Sequence, residues 1–255
     1  TAEDATIADI ARNLISKVGS GIDDMTLDYA VETFASHGNI NAIDAVIGEL
    51  PASKLSGLLD SITPELTSAG IMLGTQSSNT YIGDQNDNIY FGLGGNDDLR
   101  SHQGNDQLFG DAGNDLLYGG KGDDILHGGS GNDTIYGDPG QDIIYGGKGA
   151  DNLYGGTEAD TFAFSIYDVR TGVDTIHDFN LAEGDKIDIS DVLEQYNEGD
   201  ALSDFARLVT SGTNTLLQVD VDGAENGHTY TTLVTINNVT DLDLNTLVTN
   251  GDVIV

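Results

Sequence analysis

A nine-residue period, held without insertion from residue 74 to residue 163, constrains this chain more than any other feature. Units begin at 74, 83, 92, 101, 110, 119, 128, 137, 146 and 155, and position one is Gly in every unit except at Ser101. Position four is Gly in seven consecutive units, Gly95 to Gly149. Position six reads Asn79, Asn88, Asp97, Asp106, Asp115, Asp124, Asp133, Asp142, Asp151 and Asp160. Position eight reads Tyr81, Tyr90, Leu99, Leu108, Leu117, Leu126, Ile135, Ile144, Leu153 and Phe162. A fixed short period marks a repeat architecture, in which each unit buries its apolar residue only against its neighbours. A Gly- and Asp-rich linker has no inside and would not keep an apolar residue every nine positions.

The unit suits a hard divalent cation. Calcium takes six to eight oxygen ligands at about 2.3–2.6 Å, so carboxylates supply some and main-chain carbonyls the rest. Glycine lets a tight turn aim its carbonyls inward, and the carboxylate at position six ends that turn. The following three residues form a short strand whose eighth position points inward. Candidate ligands are therefore the ten position-six side chains together with the turn residues Gly92, Gly94, Gly110, Gly113, Gly119, Gly120, Gly122, Gly128, Gly129, Gly131, Gly137, Gly140, Gly146, Gly147 and Gly149.

Charge agrees with that reading. Nine Lys and Arg stand against 43 Asp and Glu, a formal net charge of −34. Self-repulsion on this scale opposes a compact state unless cations neutralise it. Nucleic acid and anionic membrane surfaces bind basic patches, so neither is an expected partner. The chain has no Cys, which removes disulfides and thiolate metal sites. No run of eighteen apolar residues occurs, so no membrane insertion is expected. The five histidines, His37, His102, His127, His177 and His228, are scattered, and no H-E-x-x-H, G-x-S-x-G or Walker loop is present. No catalytic residue can be named, and the chain reads as a non-enzyme.

The unit Gly128-Gly129-Ser130-Gly131-Asn132-Asp133-Thr134-Ile135-Tyr136 resembles the G-G-x-G-x-D-x-U-x repeat of RTX (repeats-in-toxin) proteins. The resemblance implies a right-handed parallel β-roll with two nonapeptides per turn and calcium between position-six residues two units apart. It then implies two inward stacks, one of Tyr81, Leu99, Leu117, Ile135 and Leu153, the other of Tyr90, Leu108, Leu126, Ile144 and Phe162. Six pairs have Asp on both sides: 97/115, 106/124, 115/133, 124/142, 133/151 and 142/160. Pairs that include Asn79 or Asn88 lack a charge and are expected to be weak or empty, giving about six strong sites and up to eight or more. Glu158 stands where seven other units have Gly and departs from the pattern near Asp160.

Three regions follow. Residues 1–73 carry helical stripes, such as Ile7, Ile10, Ala11, Leu14, Ile15 and Val18, and read as a small helical bundle. Residues 74–163 are the roll. Residues 164–255 read as a β-rich cap, with strands at 216–221 and 232–236 and a short helix starting at Asp191, Val192 and Leu193. Within it, 172–179 and 184–190 resemble the segment closing the roll in RTX proteins exported by type I secretion, and the stretch from Leu216 to Val255 resembles the targeting domain of large RTX adhesins. That resemblance implies a C-terminal uncleaved export signal, which matches the absence of a basic-then-apolar segment at the start. It also implies folding in external calcium, the type I secretion apparatus as partner, and a surface ligand reached through upstream domains; the alternatives are the calcium-binding C-terminal domain of a secreted RTX protease or lipase and a direct glycan- or protein-binding domain. Asp174, Asp178, Asp185 and Asp188 are candidates for a further ion or for capping carboxylates. Outward position nine carries Tyr118, Tyr136 and Tyr154 on one sheet and Phe91, Phe109 and Tyr145 on the other. A ladder of like residues is the preferred reading of these rows over a sugar- or partner-binding face.

Overall fold

The computed structural model describes residues 71–193, 196, 200–221, 223 and 229–255. The helical stripes expected within residues 1–70 lie outside them. Short strands come first: β1 (Ile71–Thr75), β2 (Thr80–Ile82), β3 (Ile89–Leu93), β4 (Asp98–Arg100), β5 (Gln107–Phe109) and β6 (Leu116–Tyr118). Then follow β7 (Ile125–Ser130), β8 (Thr134–Pro139), β9 (Ile143–Lys148), β10 (Asn152–Thr157) and β11 (Thr161–Ala163). Beyond the repeats lie β12 (Asp174–Ile176), β13 (Lys186–Asp188), β14 (Ala206–Ser211), β15 (Asn214–Val219), β16 (Thr231–Ile236), helix α1 (Leu244–Asn250) and β17 (Val253–Ile254).

Odd and even strands segregate because each nonapeptide reverses the chain once. One sheet has the order β1-β3-β5-β7-β9-β11-β13-β17; the other runs β14-β15-β16-β12-β10-β8-β6-β4-β2. Every pairing inside the repeats is parallel, with partners one coil of 18 residues apart, such as Leu99 with Leu117 and Leu108 with Leu126. The result is a parallel β-roll. The first strand begins three residues before Gly74, so Ile71–Leu73, which the helical reading took in, are strand; Met72 sits in register with Tyr90.

Position eight fills the space between the sheets. Leu99, Leu108, Leu117, Leu126, Ile135, Ile144, Leu153, Phe162 and Tyr90 are all fully buried, and Tyr81 is half-buried. Each buried Leu or Ile is worth about 1.5–3 kcal/mol of transfer free energy. The two stacks outlast the period. Ile176 pairs with Leu153, Ile187 with Phe162, and Val253 with Ile187.

The cap closes the far end. Strands β14 and β15, and β15 and β16, pair antiparallel, while β16 joins β12 in parallel. The strand expected at 216–221 is β15, which starts two residues earlier and ends at Val219, and the one expected at 232–236 is β16. Among the described residues, Asp191, Val192 and Leu193 form a turn and not a helix: the Val192 and Leu193 N–H groups donate to the Ile189 carbonyl, and both side chains are buried. Helix α1 lies later in the chain, capped by the Asp243 carboxylate, which accepts from the Thr246 N–H at 2.9 Å, and ended by Gly251 at φ 82°. It leads into β17, whose Val253 covers the last rung of one stack.

Candidate metal centres

The turns that join the two sheets stack along two edges. Asp97, Asp115, Asp133 and Asp151 line one edge; Asp106, Asp124, Asp142 and Asp160 line the other. In each, Oδ1 accepts the main-chain N–H of the position-six residue one coil earlier, at 2.6–3.0 Å. Position six is thus both a rung of its own coil and a bracket for the preceding one. The ladders continue past the repeats: the Asp151 main-chain N–H donates to Asp174 Oδ1 at 2.9 Å and the Asp160 main-chain N–H to Asp185 Oδ1 at 3.1 Å.

The second carboxylate oxygen is different. In Asp97, Asp106, Asp115, Asp124, Asp133, Asp142, Asp151 and Asp160, Oδ2 is buried and has no hydrogen-bond partner. Position one explains where it points. A Cβ built on Gly92 would collide with Asp97 Oδ2 and with the Gly110 carbonyl oxygen. The same pair of collisions arises at Gly110 (Asp115, Gly128), Gly119 (Asp124, Gly137), Gly128 (Asp133, Gly146) and Gly137 (Asp142, Gly155). A carboxylate oxygen and a carbonyl oxygen therefore converge on a point that only glycine leaves open. At Gly146 and Gly155 a Cβ would meet the atoms of Asp151 and Asp160. Position-four glycines serve the stacking itself: Gly113, Gly122, Gly131, Gly140 and Gly149 lie against the carbonyl of the glycine one coil earlier. Position-two Gly120, Gly129 and Gly147 lie against the carbonyls of His102, Asp111 and Gly129, and Gly94 faces the Gln76 side chain.

Unpartnered, buried oxygens are costly, and these rows fit a hard cation that takes oxygen ligands. Among the described residues no three His, Asp or Glu side chains form a metal cluster. Main-chain carbonyls such as those of Gly110, Gly128 and Gly137 would therefore complete each coordination sphere.

Electrostatics repeat the pattern. Burial raises every one of these carboxyls above the usual range: Asp106 and Asp151 to about 6, Asp115, Asp124 and Asp160 to about 7, Asp133 and Asp142 to about 8. Asp97, near the open start of the roll, is raised by the same cause. The highest values fall mid-roll, where coils on both sides exclude water. A divalent ion reverses that penalty by stabilising the charged form.

The remaining candidates divide by whether their oxygens are already engaged. Asn79 Oδ1 accepts the Thr75 N–H at 2.7 Å, and Asn88 Oδ1 accepts the Tyr90 hydroxyl at 3.3 Å. Asp174 is buried and raised to about 8, by desolvation first and then by Asp151. Asp178 accepts from Gly155 N–H at 3.0 Å and Gly156 N–H at 3.1 Å, one per oxygen, which is a turn cap. Asp185 uses both oxygens on Asp160 and Asn180 N–H groups, and Asp188 caps Ser190 locally. Glu158 adopts φ 86°, the conformation glycine would take there, and Asp160 keeps its ladder bond to Asp142. Sequence reasoning missed position five. The amide oxygens of Asn96, Asn114 and Asn132 accept main-chain N–H groups one coil on, and Asp87, Asn105 and Asp123 do so on the other edge.

The outward rows are stacked ring on ring. Tyr118, Tyr136, Tyr154 and His177 have centroids 4.8, 4.5 and 4.4 Å apart and nearly parallel planes, with the Arg100 guanidinium over Tyr118. Phe91, Phe109, His127 and Tyr145 form the second row at 4.9, 4.8 and 4.2 Å. Ring faces are taken up by neighbouring rings, so edges and hydroxyls face outward. Burial lowers His127 to about 4, keeping the stack uncharged at neutral pH.

Residues 73–108, 81–117, 91–126, 101–135 and 127–162 match the family model of the RTX calcium-binding nonapeptide repeat. Residues 73–162 are accordingly an RTX calcium-binding repeat region. A search of the curated proteins returned no match. Among solved structures, the AlgE6R3 subunit of the mannuronan C5-epimerase from Azotobacter vinelandii is similar at 22% identity over 71% of this chain and 80% of that one, with a TM-score of 0.34.

Proposed function

We propose that this chain is a calcium-dependent folding and type I secretion module of a large extracellular RTX adhesin, acting in cell-surface adhesion or biofilm. The observation that carries the calcium part is the row of eight buried Asp side chains, each with one oxygen bonded to the adjacent coil and one unpartnered. Charge supports the same reading: a net −34 has to be neutralised before the coils can close. At low intracellular calcium the carboxylates repel and the chain stays open for export; in external calcium the coils wind. Adhesin and export roles are supported by the resemblance of 172–190 and 216–255 to the closing and targeting segments of such proteins. The roll itself is structural rather than catalytic in this reading, and its calcium sites hold coils together.

Far-UV circular dichroism in chelator and then in calcium tests the folding claim. A chain that gains its β-signal only on calcium addition supports it; identical spectra in both buffers refute it. Fusion of residues 164–255 to a passenger protein tests export, which should fail when a type I apparatus is absent.

A further inference from the structure

Ser101 is the single break in the position-one glycines. It is fully buried and stands at the start of the Asp106 turn. Its hydroxyl donates to the Gly119 carbonyl, with the Tyr118 carbonyl 3.1 Å away. By register, the Gly119 carbonyl is the counterpart of the Gly110, Gly128, Gly137, Gly146 and Gly155 carbonyls, each of which shares a point with an aspartate Oδ2 in another turn. Elsewhere that point is open because the residue facing it is glycine. Here a side chain's Cβ and Oγ occupy it, and the carbonyl already accepts a proton.

We propose that the Ser101 hydroxyl takes the place of a calcium ion in the Asp106 turn, so that this coil is closed by a hydrogen bond and the roll holds one ion fewer than its aspartates indicate. Asp106 Oδ2 is buried like its counterparts, and against the rise that burial causes the Ser101 hydroxyl beside the carboxyl holds it down, which no hydroxyl does at the other seven aspartates. The preceding turn on the same edge is built alike: a Cβ on Gly83 would meet the Tyr90 hydroxyl, which in turn bonds the neutral Asn88. Two successive turns at the start of that edge are thus supplied with the protein's own hydroxyls, and the turns at Gly119, Gly137 and Gly155 are not. The start of that edge is a section held by protein hydrogen bonds, while the Gly92 turn on the other edge keeps its open point between Asp97 Oδ2 and the Gly110 carbonyl.

This inference rests on calcium binding by the other turns, and the test separates the two. Native mass spectrometry counts the ions bound to the parent chain and to S101G at saturating calcium, with circular dichroism confirming that both are folded. S101G carries the residue that nine other units already have. The expected result is one additional calcium ion in S101G. Equal or lower counts in S101G, with calcium bound by the parent, overturn the role of Ser101 while leaving the other turns intact. Absence of calcium from both chains overturns this inference together with the calcium reading itself.

Discussion

Asp133 offers the sharpest separation of ion binding from ordinary hydrogen bonding. Its Oδ1 accepts the Asp115 N–H at 2.8 Å, and its Oδ2 is the unpartnered atom that shares a point with the Gly146 carbonyl. Asp133→Asn keeps an oxygen for Asp115 and places an amide N–H₂ where it can donate to Gly146. Asp133→Ala removes both, leaving the Asp115 N–H without an acceptor, which costs about 1–3 kcal/mol. In calcium at tenfold above Kd, losing one ion removes about 1.4 kcal/mol. Asp133→Asn should therefore lose about 1.4 kcal/mol in calcium, and Asp133→Ala about 2.5–4.5 kcal/mol. In chelator the order changes: Asp133→Asn relieves a buried carboxylate raised to about 8 and should be at least as structured as the parent. Calcium titrations followed by circular dichroism, repeated with chelator, provide the assay. Equal loss for Asp133→Asn in chelator and in calcium would show that no ion acts at this residue.

Three further outcomes follow from the geometry. Because the buried carboxyls are raised to about 6–8 in the metal-free coils, against about 3.9 unfolded, the metal-free coils bind more protons than the unfolded chain. Their contribution is present in full below about pH 4 and is lost as pH rises through about 8. Chelated protein should gain structure as pH falls from 8 to 5, and the calcium needed for half-folding should fall over the same interval; a midpoint that rises as pH falls would contradict this. Asp178→Ala should lower the melting temperature in calcium through two lost bonds to Gly155 and Gly156, with the ion count by native mass spectrometry unchanged. Tyr136→Ala interrupts two ring contacts, at 4.8 and 4.5 Å; at about 0.5–1.5 kcal/mol each it should destabilise the roll in thermal melts by about 1–3 kcal/mol without altering calcium stoichiometry.

The roll was legible because its period is strict. A nine-residue unit with one inward residue fixes register, and every position-eight residue from Leu99 to Phe162 is fully buried where the spacing placed it. Beyond residue 163 the coil persists but the ruler fails: ladder partners stand 23 and 25 residues apart instead of 18. Asp174 and Asp185 could not be told from capping carboxylates, and β17 could not be placed at all, since two residues carry no pattern. Position five was hidden for a different reason. Ser, Asp, Asn, Gln and Ala alternate there, and only coil-to-coil N–H distances reveal that amide and carboxylate oxygens do one job. Ring rows were read from tyrosine and phenylalanine alone, so His127 and His177 looked scattered although they fill rungs of the same ladders. Where a helix start was expected, the described residues Asp191, Val192 and Leu193 are a turn that draws the last two into the core, which an apolar pair cannot distinguish from a helix start.

A crystal grown in millimolar calcium, with anomalous data collected to locate the ions, reaches the main claim most directly. Anomalous peaks between successive turns, touching Oδ2 of Asp115, Asp124, Asp133 and Asp142 and the carbonyls of the position-one glycines, are predicted. Fully wound coils whose Oδ2 atoms contact only water or each other would contradict it.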